Sequence, residues 1–218
     1  MLTTTHPPVT ADDFETIYAD ARGDATQVPW ADGRPHPALV TWLNAIAPSL
    51  VRCGARVAVV GCGLGDDAVE LIRRGYDVTA FDCSPTAIEW AQRRFPAHGA
   101  AFSHADLFSL PTRWHHRFDL VVEINTVQAL PPTRRGDTLH AIANLLSPRG
   151  MLLVICRARQ DASSLDAGPP WPLTEEELLE AAAAAGLAVE GEPCTFRDSE
   201  TPPVLRTRAL FRRATRSL

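Results

Sequence analysis

The sequence predicts an α/β fold in which a mostly parallel sheet of seven strands carries helices on both faces. Three observations predict it. Between Arg56 and Val154, short β-branched runs alternate with helix-length segments, the pattern of parallel βαβ units. The first run, Arg56-Val-Ala-Val-Val60, is apolar from its second residue on, which suits a central strand covered on both faces. It passes directly into Gly61-Cys-Gly63-Leu-Gly65, where glycines let the chain turn sharply into a helix.

The remaining elements follow from their boundary residues. Asp67 to Arg74 reads as the first helix of the core, closed by Gly75 in the left-handed position after its last turn. Asp77-Val-Thr-Ala-Phe81 is the second strand. Ser84 caps the next helix and Pro85 opens it; the helix runs to about Phe95, where Pro96 stops it. Ala100 to His104 makes a third strand, and Asp119 to Ile124 a fourth after the loop Thr112 to Arg117. A helix from about Arg134 to Leu146 ends at Ser147-Pro-Arg-Gly150, ahead of the apolar strand Met151 to Cys156. Arg157 to Pro172 is a long Pro-, Gly-, Asp- and Ser-containing loop, of the kind that covers or binds ligands. Thr174-Glu-Glu-Glu177 forms a capping box for a helix through Ala185 that ends at Gly186. Two last strands, Leu187 to Phe196 and Val204 to Arg213, flank the turn-rich Arg197 to Pro203. At the front, helices at Asp12 to Arg22 and Pro37 to Ile46 enclose a loop, Gly23 to Pro35. The expected organisation is an N-terminal helical cap, residues 1–50, over the site of a Rossmann-like core, residues 51–218.

Composition narrows the chemistry. With 218 residues, 45% hydrophobic and 22% charged, the chain is an ordinary globular sequence of one domain with an extension. No run of 18 apolar residues is present to cross a bilayer, and the first ten residues carry neither a basic cluster nor an apolar stretch, so a cytoplasmic protein is expected. The net charge of −5 argues against nucleic acid as a partner, because such binding rests on cations set against phosphates. Arg206, Arg208, Arg212, Arg213 and Arg216 form the one basic cluster, read as a solvated strand face and tail. All 21 basic residues are Arg; without Lys, a Schiff base, a P-loop lysine and a Lys general base are excluded. Five Cys, at 53, 62, 83, 156 and 194, form no CxxC pair and read as reduced thiols. The His115-His116 pair has no third ligand at metal spacing, so no metal is expected.

The glycine loop carries the strongest chemical signal. Its backbone can approach a ligand closely and offer free N–H groups at the positive end of a helix. A dinucleotide fingerprint would put its third glycine at position 66, where Asp66 stands, followed by Asp67. Two carboxylates there would repel a pyrophosphate and accept a cationic ligand, and S-adenosylmethionine carries a sulfonium and an ammonium. The G-x-G-x-G form resembles the Rossmann-like class I S-adenosylmethionine-dependent methyltransferases.

The run from Gly61 to Pro96 further resembles the thiopurine, halide and thiol methyltransferase group. Pro29-Trp-Ala-Asp-Gly-Arg-Pro35 is similar to the Pro-Trp-Asp-x-Gly segment with which that group covers its cofactor. Ala129-Leu-Pro-Pro132 and Gly168-Pro-Pro-Trp-Pro172 also match, so the resemblance spans most of residues 14 to 190. It implies methyl transfer from S-adenosylmethionine, leaving S-adenosylhomocysteine, to a small-molecule acceptor, first of all a thiol. The alternatives are an oxygen or nitrogen acceptor and a cofactor-binding protein without catalysis, in each case as a monomer or homodimer. The implied cofactor contacts are Gly61, Cys62, Gly63 and Gly65 in the loop, Asp82 and Cys83 after the second strand, Asp106 and Leu107 after the third, together with Trp30 and Glu123. Asp82 would accept hydrogen bonds from the ribose hydroxyls or merely assist the next helix cap. Asp106 would hold the adenine amino group or cap a turn, and Cys62 reads as a small filler. Two residues depart from the pattern: Val59 stands where most of the larger class has an acid, and Glu123 where the group commonly has Asp.

Methyl transfer from a sulfonium is an in-line displacement, so the main task is to hold the nucleophile about 3 to 3.5 Å from the methyl carbon in a dry pocket. A thiol must lose its proton; a nearby Arg lowers its pKa and a carboxylate can take the proton. At the C-terminal edge of the sheet, where ligands bind in such folds, Glu123 and Arg157 are the catalytic candidates, and Asn125, Gln128 and Arg159 the substrate-facing ones. Glu123 has a second reading, orienting the cofactor's ammonium. Trp30 would either stack beside the sulfonium, worth about 0.5 to 2 kcal/mol, or pack at the seam between cap and core.

Overall fold

A computed structural model describes residues 10–160 and 168–214. Arg216, the first nine residues and positions 161–167 of the long loop lie outside the described residues. In chain order the elements are α1 (Ala11–Asp20), α2 (Pro37–Ala45), α3 (Ala47–Leu50), β1 (Arg56–Val60), α4 (Asp66–Arg73), β2 (Asp77–Asp82), α5 (Pro85–Arg94), β3 (Phe102–His104) and β4 (Phe118–Ile124). There follow α6 (Thr126–Ala129), α7 (Arg135–Leu145), β5 (Leu146–Arg157), α8 (Glu175–Ala184), β6 (Leu187–Val189), β7 (Cys194–Arg197) and β8 (Leu205–Arg213). The sheet runs β3-β2-β1-β4-β5-β8-β6, with β7 also paired to β8. The pairs from β3 through β5 are parallel, and β8 is antiparallel to all three of its partners.

The strand order creates the site. From β1 the chain steps outward to β2 and β3, then returns to place β4 on the other side of β1. The loops leaving β1 and β4 therefore diverge, opening a crevice at the C-terminal ends of these strands.

Alternation along the central strands splits the core in two. Val57, Val59, Leu120, Val122, Leu153 and Ile155 pack toward α2, α4 and α5, while Ala58, Val60, Val121, Leu152 and Val154 pack toward α7 and α8. Each fully buried Val or Leu contributes about 1.5 to 3 kcal/mol, so a strand interior to this sheet is fixed mainly by its side chains. The expected boundary between cap and core at residue 50 is not a break in packing. Leu39, Trp42 and Leu43 of α2 are buried in the same cluster as β1, which makes α2 part of the helical layer.

The last expected strand but one, Leu187 to Phe196, is interrupted. Leu187 stands opposite Arg213 and Cys194 opposite Arg208, so seven steps along one chain meet five along the other. The two extra residues bulge out at Glu190-Gly191-Glu192-Pro193, where Gly191 takes a φ of 73° and Pro193 has no N–H to donate. Counted separately the strands number eight; β6 and β7 lie along one edge of β8.

Candidate active site

The glycine loop is shaped by the protein around it. Gly61, Gly63 and Gly65 have φ values of 59°, 50° and 90°. A Cβ on Gly61 would come within 2.6 Å of Thr126 Oγ1, one on Gly63 within 3.0 Å of the Tyr18 hydroxyl, and one on Gly65 within 2.8 Å of the Phe102 ring. Packing alone therefore demands all three glycines, and the triplet is a weaker sign of a ligand than its sequence suggests. What it achieves is a loop pressed between α6, α1 and β3, with its backbone at the switch point.

Asp82 anchors that loop. Its side chain is buried, with Oδ2 accepting the Gly63 N–H at 2.9 Å and Oδ1 the Ser84 N–H at 3.0 Å. Burial raises its pKa, against the pull of these two bonds. Cys83 also donates to this carboxylate, whose four lone-pair directions let it assist the α5 cap and still accept from a ligand. Ser84 itself caps α5 through Ala87 N–H. Cys83 follows Asp82 in sequence and Cys62 lies in the loop that Asp82 anchors; burial and the carboxylate push Cys83 up to about 12 and Cys62 well above its usual range, so both are thiols at neutral pH. Past β3, Asp106 is exposed, with Oδ1 accepting the Phe108 N–H at 2.9 Å, and Leu107 is buried.

The N-terminal segment lies over this loop through contacts that sequence reasoning missed. Glu15 accepts hydrogen bonds from Ser84 Oγ, Thr86 Oγ1 and Thr86 N, fixing α1 to the start of α5. Burial opposes its ionisation, yet these donors hold its carboxyl below the usual range. Tyr18, one turn on, is buried against Leu64 and Trp90 and accepts the Trp30 indole N–H at 2.7 Å. Burial first, and the Asp82 carboxylate second, keep the Tyr18 hydroxyl protonated. Trp30 stands edge-on to Phe14 and Tyr18 and remains 40% exposed, so it both packs the seam and shows an open ring surface. The signal for Tyr18 is Phe14 four residues earlier, an aromatic pair on one face of α1.

Charge near the loop is balanced rather than free. Asp66 is held by both Nη atoms of Arg94, at 2.7 and 2.8 Å, and Asp67 accepts the His36 N–H at 2.7 Å. The expected attraction of this pair for a cation is therefore corrected: Arg94 already neutralises Asp66. Burial, with Asp66 and Asp32 nearby, pushes Asp67 up to about 6.

Beyond β4 the candidates separate. Asn125 adopts a left-handed φ of 68° that turns the chain into α6, and its Oδ1 accepts from Arg206 Nη1 at 3.1 Å. Thr126 Oγ1 donates to Val60 O at 3.3 Å, seating α6 on the glycine loop. Glu123 is 0% exposed; Oε1 accepts the Val127 N–H at 2.9 Å and Oε2 has no partner among the described residues. Burial pushes its pKa up to about 7. A base must reach its proton, so Glu123 as placed here holds α6 rather than facing an acceptor. Gln128 is likewise corrected: it is buried, its Oε1 receives the Arg157 N–H and its carbonyl the Trp171 N–H. Arg159 bonds Pro172 O and Glu177, which Arg135 also pairs, so it ties the loop to the start of α8. Arg157 is half-buried, and its guanidinium has no hydrogen bond or ion pair among the described residues. Arg206, expected to be solvated, is 3% exposed and paired with Asp198 and Glu200. A cavity of about 660 Å³ opens away from the crevice, beside α8, between Arg159, Glu176, Thr195 and Thr207.

Residues 57–150 match the methyltransferase domain family. This span carries a methyltransferase domain, and the protein is an S-adenosylmethionine-dependent methyltransferase. Among its relatives, thiocyanate methyltransferase 1 of Brassica oleracea is 27% identical over 76% of this chain and 72% of its own. A probable thiol methyltransferase 2 of Arabidopsis thaliana is 27% identical over 71% and 66%. Among solved structures, a protein described for the conversion of a disulfide bond into a thioacetal group during echinomycin biosynthesis is 26% identical, with a TM-score of 0.73 over 93% of this chain and 94% of that one. The 1,6-didemethyltoxoflavin-N1-methyltransferase of Burkholderia thailandensis, solved with 1,6-didemethyltoxoflavin and S-adenosylhomocysteine, is 21% identical with a TM-score of 0.74 over 97% and 94%. S-adenosylmethionine is the methyl donor of this methyltransferase. The arrangement at β1 and β2 fits a nucleoside: a glycine-rich loop, free to approach a ligand closely, beside a buried carboxylate.

Proposed function

We propose that this methyltransferase moves the methyl group to a small thiol. The observation that carries the reading is the state of the charges around the switch point. Asp66, Asp67, Asp82 and Glu123 are all engaged in holding the protein together, whereas the Arg157 guanidinium is unpaired among the described residues. Such a site suits a nucleophile that ionises near neutral pH without a base. A thiol, with a pKa of about 8.5, does so, and a guanidinium lowers that value further; an alcohol does not. The relatives named for thiocyanate and thiol methylation support the same choice.

In this reading Asp82 accepts from the ribose hydroxyls, Asp106 and Leu107 border the adenine, and Trp30 lies over the sulfonium side. Arg157 stabilises the thiolate, and Asn125, whose Oδ1 is already taken, turns its amide N–H groups toward the acceptor. Glu123 takes no proton from the acceptor.

The test is a panel of thiols, selenols, halides, phenols and amines with labelled S-adenosylmethionine. Methyl thioethers are the expected products; methylation confined to phenols or amines overturns the proposal.

A further inference from the structure

His36 sits between two prolines in the segment that leads from Trp30 to α2. It is 8% exposed, and its position is fixed twice: its backbone N–H donates to Asp67 at the head of α4, and its Nδ1 accepts the Ala38 N–H at 3.2 Å as the cap of α2. A ring that accepts at Nδ1 carries its proton on Nε2. Burial, with Arg206 beside it, pulls its pKa down to about 4, so the neutral ring persists at physiological pH. Nε2–H therefore remains a donor with no hydrogen-bond partner among the described residues. Of its charged neighbours, Arg206, Asp198 and Arg34, the first two belong to the network that holds Asn125 at the end of β4. Arg157 stands directly opposite Arg206 across the β5–β8 pair, which sends both side chains to the same face. The distal N–H of a largely buried ring and an unpaired guanidinium thus lie on the same, α2-covered side of the sheet.

We propose that His36 is a specificity-determining residue of the acceptor site, donating Nε2–H to a carboxylate borne by the thiol, with Arg157 supplying the opposite charge. This rests on the thiol reading above and narrows it to mercaptocarboxylates. A carboxylate satisfies both donors, since Arg206 is already balanced by Asp198 and Glu200.

The test uses His36→Asn in the full chain. Asn keeps an acceptor at the cap of α2 but withdraws the distal donor. Binding of mercaptoacetate to the protein loaded with S-adenosylhomocysteine is measured by calorimetry, and turnover of mercaptoacetate is compared with that of ethanethiol. The variant is expected to bind mercaptoacetate at least about tenfold more weakly, as for loss of a hydrogen bond to a charged group. Its Kd for S-adenosylhomocysteine and its kcat/KM with ethanethiol should stay within about twofold. Equal mercaptoacetate affinity in the two proteins, a parallel loss of S-adenosylhomocysteine binding, or no mercaptoacetate binding by the wild type overturns the assignment. If the wild type binds mercaptoacetate but methylates no thiol, the thiol reading fails and the His36 contact stands.

Discussion

Glu123→Gln isolates the energetic effect of a carboxylate sealed beneath α6. In the folded chain burial raises the Glu123 pKa from 4.5 to about 7. Protonation is then favoured by the fold, so the side chain's contribution is complete below about pH 4.5 and is lost as pH rises through 7. A displacement of this size corresponds to about 3 kcal/mol at full expression, most of it falling between pH 5 and pH 8. Other groups titrate across the same range: Asp67, raised to about 6, works in the same direction, and His36, lowered to about 4, works against both. The difference between wild type and variant cancels them. Gln keeps an acceptor for the Val127 N–H and cannot ionise, so any offset from placing its amide beside α6 is independent of pH. Urea unfolding at pH 5, 6, 7 and 8, without cofactor, should show the variant gaining about 2 to 3 kcal/mol on the wild type as pH rises. A flat difference curve would mean that Glu123 ionises normally, and the account of it as a sealed, neutral support for α6 would be wrong.

Two further substitutions probe the loop. Asp82→Ala removes the acceptor for Gly63 N–H and the proposed acceptor for the ribose, and should weaken S-adenosylhomocysteine binding by about 1 to 3 kcal/mol in calorimetry; an unchanged Kd refutes the placement. Gly61→Ala should lower the melting temperature, because the new methyl lies 2.6 Å from Thr126 Oγ1 at a φ of 59°. Adding Thr126→Ala should restore part of the loss but leave about 1 kcal/mol of backbone strain; no recovery in the double variant would show that the contact is not the cause.

What was legible in the sequence was what local chemistry writes there. β1 was read with its observed ends, since an uninterrupted apolar run and the glycines after it share one short window. The capping box at Thr174 and Glu177 forms as its spacing requires. The illegible parts are contacts between residues far apart in the chain: Glu15 with Ser84, His36 with Asp67, and Arg206 with Asn125 span 69, 31 and 81 positions. No periodicity records them. They also overturn the charge reading of the arginine cluster, because Arg206 faces inward at the start of β8 where two acids from the preceding turn meet it. Glu123 misled for a different reason. An acid ending an apolar strand looks functional because buried acids are rare, yet its oxygen serves the backbone N–H four residues on, after a left-handed turn at Asn125 that sequence does not announce.

The same contacts change the reason why this crevice accepts one nucleoside and rejects another. Two acids at the head of α4 suggested a pocket that attracts cations, but Arg94 bridges Asp66 and the Leu64 carbonyl, at 2.7 Å each. The Asp66 charge is thereby balanced, so its attraction is not what selects the cofactor. Exclusion still operates. A pyrophosphate needs the free N–H groups of a helix start and a third glycine that lets the helix approach; here that start carries a carboxylate side chain clamped by a guanidinium, and its neighbour is bonded to the His36 backbone. Removing Asp66's charge alone would therefore leave the phosphate path obstructed, because the obstruction is the clamp between α4 and α5 and the strap across it. Specificity for a phosphate-free nucleoside at this loop follows from how the helices are tied together more than from the sign of the charge they present.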